Sequence, residues 1–178
     1  MSESPPWRAL GQRAEYRYDQ PDPGVLEVFD NPHRGQEWAV SLYCYEFTSL
    51  CPVTGQPDFG RLHIGYVPDA LCVESKSLKL YLMRYRNHGA FHEDCVNQVA
   101  SDLAGRLAPR YLYVYGDFNP RGGIAIRPLA LRRAPGLSPE EERRCLLLLG
   151  PLAPAGAASP AGLASPGLGG AGASPAGT

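Results

Sequence analysis

The segment FTSLCPVTGQPDFG places Cys51 directly before Pro52 and sets Asp58 seven residues further on. A thiol in a loop that leaves a strand is held by a rigid element, a common station for a nucleophile. Backbone amides around such a turn lower the thiol pKa and raise the thiolate fraction. A carboxyl brought beside a thiolate holds its proton more tightly and becomes a usable general acid. Each residue also has an ordinary reading. An isolated cysteine is commonly a small buried hydrophobe, and an aspartate after Pro57 suits a turn.

Two further segments carry polar groups at chemically suggestive spacing. In ESKSLKLY, residues 74–81, Lys76 and Lys79 stand three apart and share a face if the segment opens a helix, with Arg86 further along that side. Ammonium groups near a helix N-terminus suit phosphates, because the free amides there add positive potential. A plain solvated face is the other reading of such a pair. His92 and Glu93 precede a second helical pattern, with Cys95 close behind. A carboxylate at that point can accept paired hydrogen bonds from the amide and amino edge of a guanine-like ring. Equally, Glu93 and Asp94 simply favour a first helical turn.

A metal site is the competing use of these residues. His63, His88, His92, Cys72 and Cys95 include the nitrogen and sulfur donors zinc prefers, but the chain has neither a CxxC pair nor an HExxH motif. No metal is expected.

The elements that must position these residues follow from periodicity. Residues 37–48 (EWAVSLYCYEFT) read as a strand with two apolar faces, Trp38, Val40, Leu42 and Cys44 on one and Tyr43, Tyr45 and Phe47 on the other. Such a strand is covered on both sides, by helices or by another subunit. A second strand is expected over 61–67, a helix over 75–88 with Leu78, Leu82 and Tyr85 on one stripe, and a helix over 93–108 built on Val96, Val99, Leu103 and Leu107. Strands over 111–118 and 123–131 follow, joined by Asn119-Pro120-Arg121-Gly122. Ser138-Pro139-Glu140-Glu141 opens a last helix, running to about Leu149. The order strand, strand, helix, helix, strand, strand predicts an α+β arrangement: a four-stranded antiparallel sheet with a helix pair on one face. Its open edges and face predict assembly into a homo-oligomer.

Residues 1–24 read as an extension, 25–135 as the catalytic domain and 136–150 as a C-terminal helix. Residues 151–178 are Gly, Ala, Pro and Ser apart from three leucines and Thr178, and are expected to be a disordered tail. Seventeen basic against eighteen acidic side chains argue against bulk nucleic-acid binding. No run approaches the roughly 18 apolar residues of a membrane span, and the first twenty residues lack a secretory apolar core. With five cysteines, an odd number, the chain is expected in the reducing cytoplasm.

Taken together, FTSLCPVTGQPDFG, ESKSLKLY, FHEDCVNQ and the turn NPRGGI resemble the QueF family of 7-cyano-7-deazaguanine reductases, in its short single-domain form, over about residues 25–130. The resemblance implies a tunnelling fold whose subunits pack into rings with sites between them. It also implies NADPH-dependent reduction of the nitrile of 7-cyano-7-deazaguanine to an aminomethyl group, a step of queuosine biosynthesis for tRNA modification. By position, Cys51 matches the family nucleophile and Asp58 its proton donor. Val73, Glu74 and Ser75 match a stretch that contacts substrate, and His92 with Glu93 the substrate-binding pair. Lys76 and Lys79 fall in the NADPH motif, and Arg121 is a candidate for the cofactor phosphate. The tail has no counterpart in the family pattern.

The residues suit that reaction. Thiolate addition turns a nitrile into a thioimide, a better hydride acceptor, while Asp58 supplies the proton that nitrogen needs. The two-residue spacing of Cys95 from Glu93 suggests a thiol near the pocket, able to capture an oxidised Cys51 as a reversible disulfide. The rival readings are a zinc-dependent hydrolase of the same fold, resembling GTP cyclohydrolase I, and a non-catalytic ligand-binding or assembly protein. ESKSLKLY argues against the first, and the presence of both Cys51 and Asp58 against the second.

Overall fold

The computed structural model describes residues 16–150. The expected tail over 151–178, and most of the expected 1–24 extension, lie outside the described residues.

A 3-10 turn (Pro23–Val25) leads into the short strand β1 (Val28–Asp30), which pairs antiparallel with β4 (Leu71–Val73) as a separate two-stranded sheet. The main sheet is antiparallel throughout, in the order β2 (Val40–Leu50), β3 (Pro57–Val67), β5 (Tyr111–Phe118), β6 (Leu129–Arg133). Between β4 and β5 run α1 (Ser75–Met83) and α2 (His92–Leu107), and α3 (Pro139–Leu149) follows β6. The expected α+β order is therefore present, with the small sheet as an addition that periodicity did not announce.

The helix pair covers one face of the sheet. Leu62, Ile64 and Tyr66 of β3 and Leu112 and Val114 of β5 share a core with Leu78 and Tyr81 of α1 and with Val96, Val99 and Leu103 of α2. Side chains at i, i+3 and i+4 build that stripe on each helix, and each fully buried Leu or Val contributes on the order of 1.5–3 kcal/mol. A polar link ties the helices: the Tyr81 hydroxyl donates to Asp102 Oδ2 at 2.6 Å. On the opposite face, Cys145 and Leu149 of α3 pack on Val67, Tyr111 and Tyr113. Its start carries the expected Ser138–Glu141 capping box.

Several boundaries differ from those expected, for identifiable reasons. The helix expected over 75–88 stops at Met83. Beyond it the amides of Arg84, Tyr85 and Arg86 reach back only three residues, and the His88 carbonyl accepts from Leu50 N at 2.9 Å. The last strand begins at Leu129 rather than 123, directly after Pro128, whose nitrogen has no hydrogen to donate to a ladder. β3 begins at Pro57 rather than 61, so Asp58 belongs to a strand and not to a loop.

A β-bulge corrects the assignment of Phe47. The pairs Cys44↔Leu62 and Phe47↔Gly60 show a register shift between them, so two residues of β2 intervene where β3 has one. Phe47 therefore turns to the helix face, buried beside Tyr85 and Phe118 rather than beside Tyr43 and Tyr45. The same shift aligns Ser49 with Asp58.

Candidate active site

Cys51 leaves the end of β2 in a turn closed by two backbone bonds. Its N–H donates to Gln56 O at 2.8 Å, and Gly55 N–H donates back to Cys51 O at 2.9 Å. Gly55 takes φ of 68°, a left-handed value that a side chain would oppose. A second tether comes from the segment ahead of α2, where Ala90 N–H donates to Leu50 O at 3.1 Å, forming a parallel bridge between Leu50 and Gly89. The cysteine turn is thus laced to the approach of α2.

The thiol itself is only partly buried. The Thr54 hydroxyl, then the amides of Thr54 and Val53, and lastly the Arg121 guanidinium hydrogen-bond the sulfur and outweigh desolvation, lowering its pKa from 9.0 to about 7. A large share is then thiolate near neutrality, the form that attacks carbon. The other cysteines differ: burial pushes Cys44, Cys72 and Cys145 up, and Cys95 up to about 11. All five are free thiols.

Asp58 lies on β3 with 4% of its surface exposed. A buried carboxylate requires partners, and two side chains approach it. Arg121 Nη1 lies 2.9 Å from Oδ1, and His92 Nε2 lies 3.2 Å from the same oxygen. The His92 contact is at ion-pair distance but lacks the alignment of a hydrogen bond. The imidazole stacks on Phe118 at a centroid distance of 4.0 Å and an interplanar angle of 19°.

Arg121 is delivered by a turn that only its glycines allow. Arg121 and Ile124 exchange backbone hydrogen bonds at 3.0 and 3.1 Å, closing a two-residue hairpin loop. Gly122 and Gly123 both take positive φ, 58° and 82°, as a type I′ hairpin demands. Asn119 N–H donates to Phe59 O at 2.8 Å, pinning the loop beside Asp58.

The structure therefore brings Cys51, Asp58, His92 and Arg121 to one place, from four separate segments. The other expected residues stand elsewhere. Val73 is buried in the small sheet opposite Val28. Glu74 caps α1, its two carboxylate oxygens accepting from Lys76 N at 2.8 Å and Ser77 N at 2.7 Å. Ser75 and Lys79 line a groove of ≈ 1230 Å³ between α1 and the edge of β2, which also takes in Leu50 and Pro57 on either side of the cysteine turn. Lys76 is half-buried and does not line it. Lys79 and Arg86, both on the groove, lie 5.5 and 5.7 Å over the rings of Tyr16 and Tyr18. Glu93 is exposed in the first turn of α2.

Two relationships were not visible in the sequence. Arg121, the candidate for the cofactor phosphate, lies against Asp58. Ser49, fully buried, stands opposite Asp58. A serine at an inward strand position was the available signal for the second. Among the described residues no three His, Cys, Asp or Glu side chains are grouped to hold a metal ion. The nearest sequence candidates are divided by the sheet, since His63 stacks on Tyr43 on the face away from the helices while His92 sits at the start of α2. No helix among the described residues is long and apolar enough to cross a membrane.

A family model described as QueF-like protein matches residues 57–135. A protein of Porphyromonas gingivalis named NADPH-dependent 7-cyano-7-deazaguanine reductase is 57% identical over 127 residues, covering 71% of this chain and 82% of its own length. One of the same name from Bacteroides fragilis is 55% identical over 132 residues, covering 74% and 87%. Another from Streptococcus thermophilus is 61% identical over 106 residues, covering 60% and 65%. In fold, the chain resembles the crystal structure of an archaeosine synthase QueF-Like in the apo form, with a TM-score of 0.50 and 19% identity over 56% of this chain and 96% of that one.

Proposed function

The chain belongs to the family of NADPH-dependent 7-cyano-7-deazaguanine reductases, and from this premise we propose how its residues divide the reaction. It is an oxidoreductase that reduces the nitrile of 7-cyano-7-deazaguanine with NADPH, within the queuosine pathway. The zinc-hydrolase alternative is not favoured, since the relatives are named as reductases.

Cys51 is the nucleophile and Asp58 the proton donor. The observation that carries this reading is the joint placement of a thiol with its pKa lowered to about 7 and a buried carboxylate held by His92 and Arg121. The thiolate attacks the nitrile carbon, and Asp58 protonates the nitrogen as it gains charge. NADPH, when bound, supplies hydride to the resulting thioimide and then to the imine left once Cys51 departs. Glu93 holds the deazaguanine ring, with Val73, Glu74 and Ser75 supplied by a neighbouring subunit of the assembly proposed below, and His92 orients Asp58.

The groove between α1 and β2 suits a dinucleotide in chemistry. Its Lys79 and Arg86 supply cationic groups and Tyr16 and Tyr18 supply ring faces, with Lys76 in the first turn of the same helix. Residues 25–135 form the catalytic unit in this reading. The enzyme works in the cytoplasm on the free base, and its near-neutral charge argues against a nucleic-acid partner.

Assembly of tunnelling-fold subunits into a ring, with sites between them, completes the proposal. Its support is the place of β2 at the edge of the main sheet, bridged on its outer side at Leu50, and a set of exposed hydrophobics including Tyr45, Val53, Phe59, Phe91 and Ile124. Exposed apolar side chains in that number call for cover by a partner.

The test mixes protein with 7-cyano-7-deazaguanine and follows mass and absorbance, first without and then with NADPH. An adduct on Cys51, discharged to the amine with two NADPH consumed, is the expected result. NADPH consumption by a Cys51→Ala variant at the wild-type rate would reject the nucleophile.

A further inference from the structure

The imidazole of His92 lies against a ring rather than in a hydrogen bond. Its Nε2 is buried, stands 3.2 Å from Asp58 Oδ1 and has no aligned hydrogen-bond partner among the described residues. Its face lies on the phenyl ring of Phe118, at a centroid distance of 4.0 Å and an interplanar angle of 19°. A histidine ring turns about a broad torsion at χ2, so a neighbour must choose its plane.

Phe118 is built to make that choice. It ends β5, fully buried, with its N–H donated to Ile126 O at 3.3 Å. Two glycines clear the space for its ring. Gly60 stands opposite it on β3, where a Cβ would come to 3.0 Å from Phe118 Cδ1. Gly116 precedes it by two residues on the same face of β5, where a Cβ would come to 2.8 Å from Phe118 Cε2. A glycine inside a strand weakens it and marks a place where another group comes close. Here two of them flank one ring. Phe47 braces that ring from β2, edge-on at 6.0 Å and 82°.

We propose that Phe118 is a positioning residue of the reaction, whose ring fixes the plane of the His92 imidazole and keeps Nε2 turned to the substrate. This deepens the assignment of His92 to the substrate and rests on it. Because stacking holds the imidazole, Nε2 is not committed to Asp58, and its hydrogen bond goes to the molecule that enters. An orientation fixed before binding needs no further ordering when substrate arrives.

Two measurements test this. The first is the rate of Cys51 adduct formation with 7-cyano-7-deazaguanine, without NADPH, in wild type, Phe118→Leu, His92→Gln and the double variant. Phe118→Leu is expected to slow the rate by about 10–10²-fold, the scale on which a misplaced positioning group acts. In the His92→Gln background the same substitution should change the rate by less than about 2-fold, since the residue it serves is gone. A purely structural phenylalanine would lose the same factor in both backgrounds. Gly116→Ala is the milder variant. Its methyl group meets side-chain atoms of Phe118 and Val96 and no backbone, so the ring gives way while the strand stays. It should slow adduct formation with the same dependence on His92, and it replaces Phe118→Leu if that variant does not fold.

The second measurement needs no Phe118 variant. The His92 ring protons, identified among four histidines by their loss in His92→Gln, should resonate upfield in the NMR spectrum, because the ring current of a stacked phenyl shields them. Unshielded His92 protons would overturn the proposal, as would equal losses in both backgrounds or a wild-type rate in Phe118→Leu. Should wild type itself form no adduct, the nucleophile assignment fails on that result. The shielding, and its loss in Gly116→Ala, then still decides whether Phe118 sets the imidazole.

Discussion

His92 Nε2 lies 3.2 Å from Asp58 Oδ1, with both side chains more than nine-tenths buried. The contact joins the start of α2 to β3. It also defines what should fail when one group is neutralised. Asp58→Asn keeps the shape but cannot give up a proton, so kcat should fall by about 10²–10⁴-fold. Cys51 should still alkylate, since Thr54 and the turn amides act on it independently. Turnover of the Asn variant at the wild-type rate would remove Asp58 from the mechanism.

Cys51 should be the first thiol oxidised. Its sulfur is partly exposed with its pKa lowered to about 7, whereas Cys95 is fully buried with its pKa raised to about 11. Peroxide converts a thiolate to sulfenic acid, which can condense with a second thiol and release water. Peptide mass after mild peroxide is expected to show a Cys51–Cys95 link that dithiothreitol reverses. Cys95→Ser should then pass on to sulfinic acid at Cys51. Sulfinic acid at Cys51 in the wild type with no link would reject the pairing.

Glu74 has a structural duty that can be separated from substrate contact. Its carboxylate caps α1 through Lys76 N and Ser77 N. Glu74→Ala should cost about 1–2 kcal/mol in urea unfolding, and KM for the nitrile should rise independently of that loss. An unchanged unfolding midpoint would show that other groups satisfy the helix amides.

Gly60 is required by close approach rather than by its dihedrals. A Cβ there would meet the Asp117 carbonyl oxygen at 2.9 Å and Phe118 Cα at 3.0 Å, both backbone atoms of the neighbouring strand. Gly60→Ala should destabilise by about 1–3 kcal/mol, as overpacking does. Because Phe118 stacks on His92, activity should fall further than the loss of folded protein explains. A fully stable, fully active alanine variant would contradict this.

Stability should fall with acid through His63. Burial between Tyr43 and Tyr113, with Ser41 Oγ 2.6 Å from Nε2, lowers its pKa from 6.5 to about 4. The unfolded chain takes up a proton near 6.5 that the folded chain refuses until about 4, so this contribution is present above 6.5 and is lost progressively as pH falls to 4. Thermal melts over that window should decline more steeply for wild type than for His63→Phe. Parallel curves would show that His63 does not titrate differently on folding.

Much of this protein was legible locally. Period-2 and period-3.6 patterns, the Ser138 capping box and the gap between β4 and β5 filled by helices were enough for an α+β chain with a four-stranded antiparallel sheet. The motifs around Cys51, Lys76 and His92 were enough for the family, because they are contiguous strings whose spacing survives without coordinates. What remained undecided depended on register and on meetings between distant segments. One extra residue at the bulge after Cys44 turns Phe47 inward and sets Ser49 against Asp58, since strand faces alternate at every residue. Pro128 shortens the last strand by a missing donor that only matters once its partner strand is known. The Arg121–Asp58 contact joins the glycine hairpin after β5 to the start of β3, two segments brought together only by the pairing of those strands. Periodicity reports which residues face inward along one element, and only the packed chain decides which of them touch.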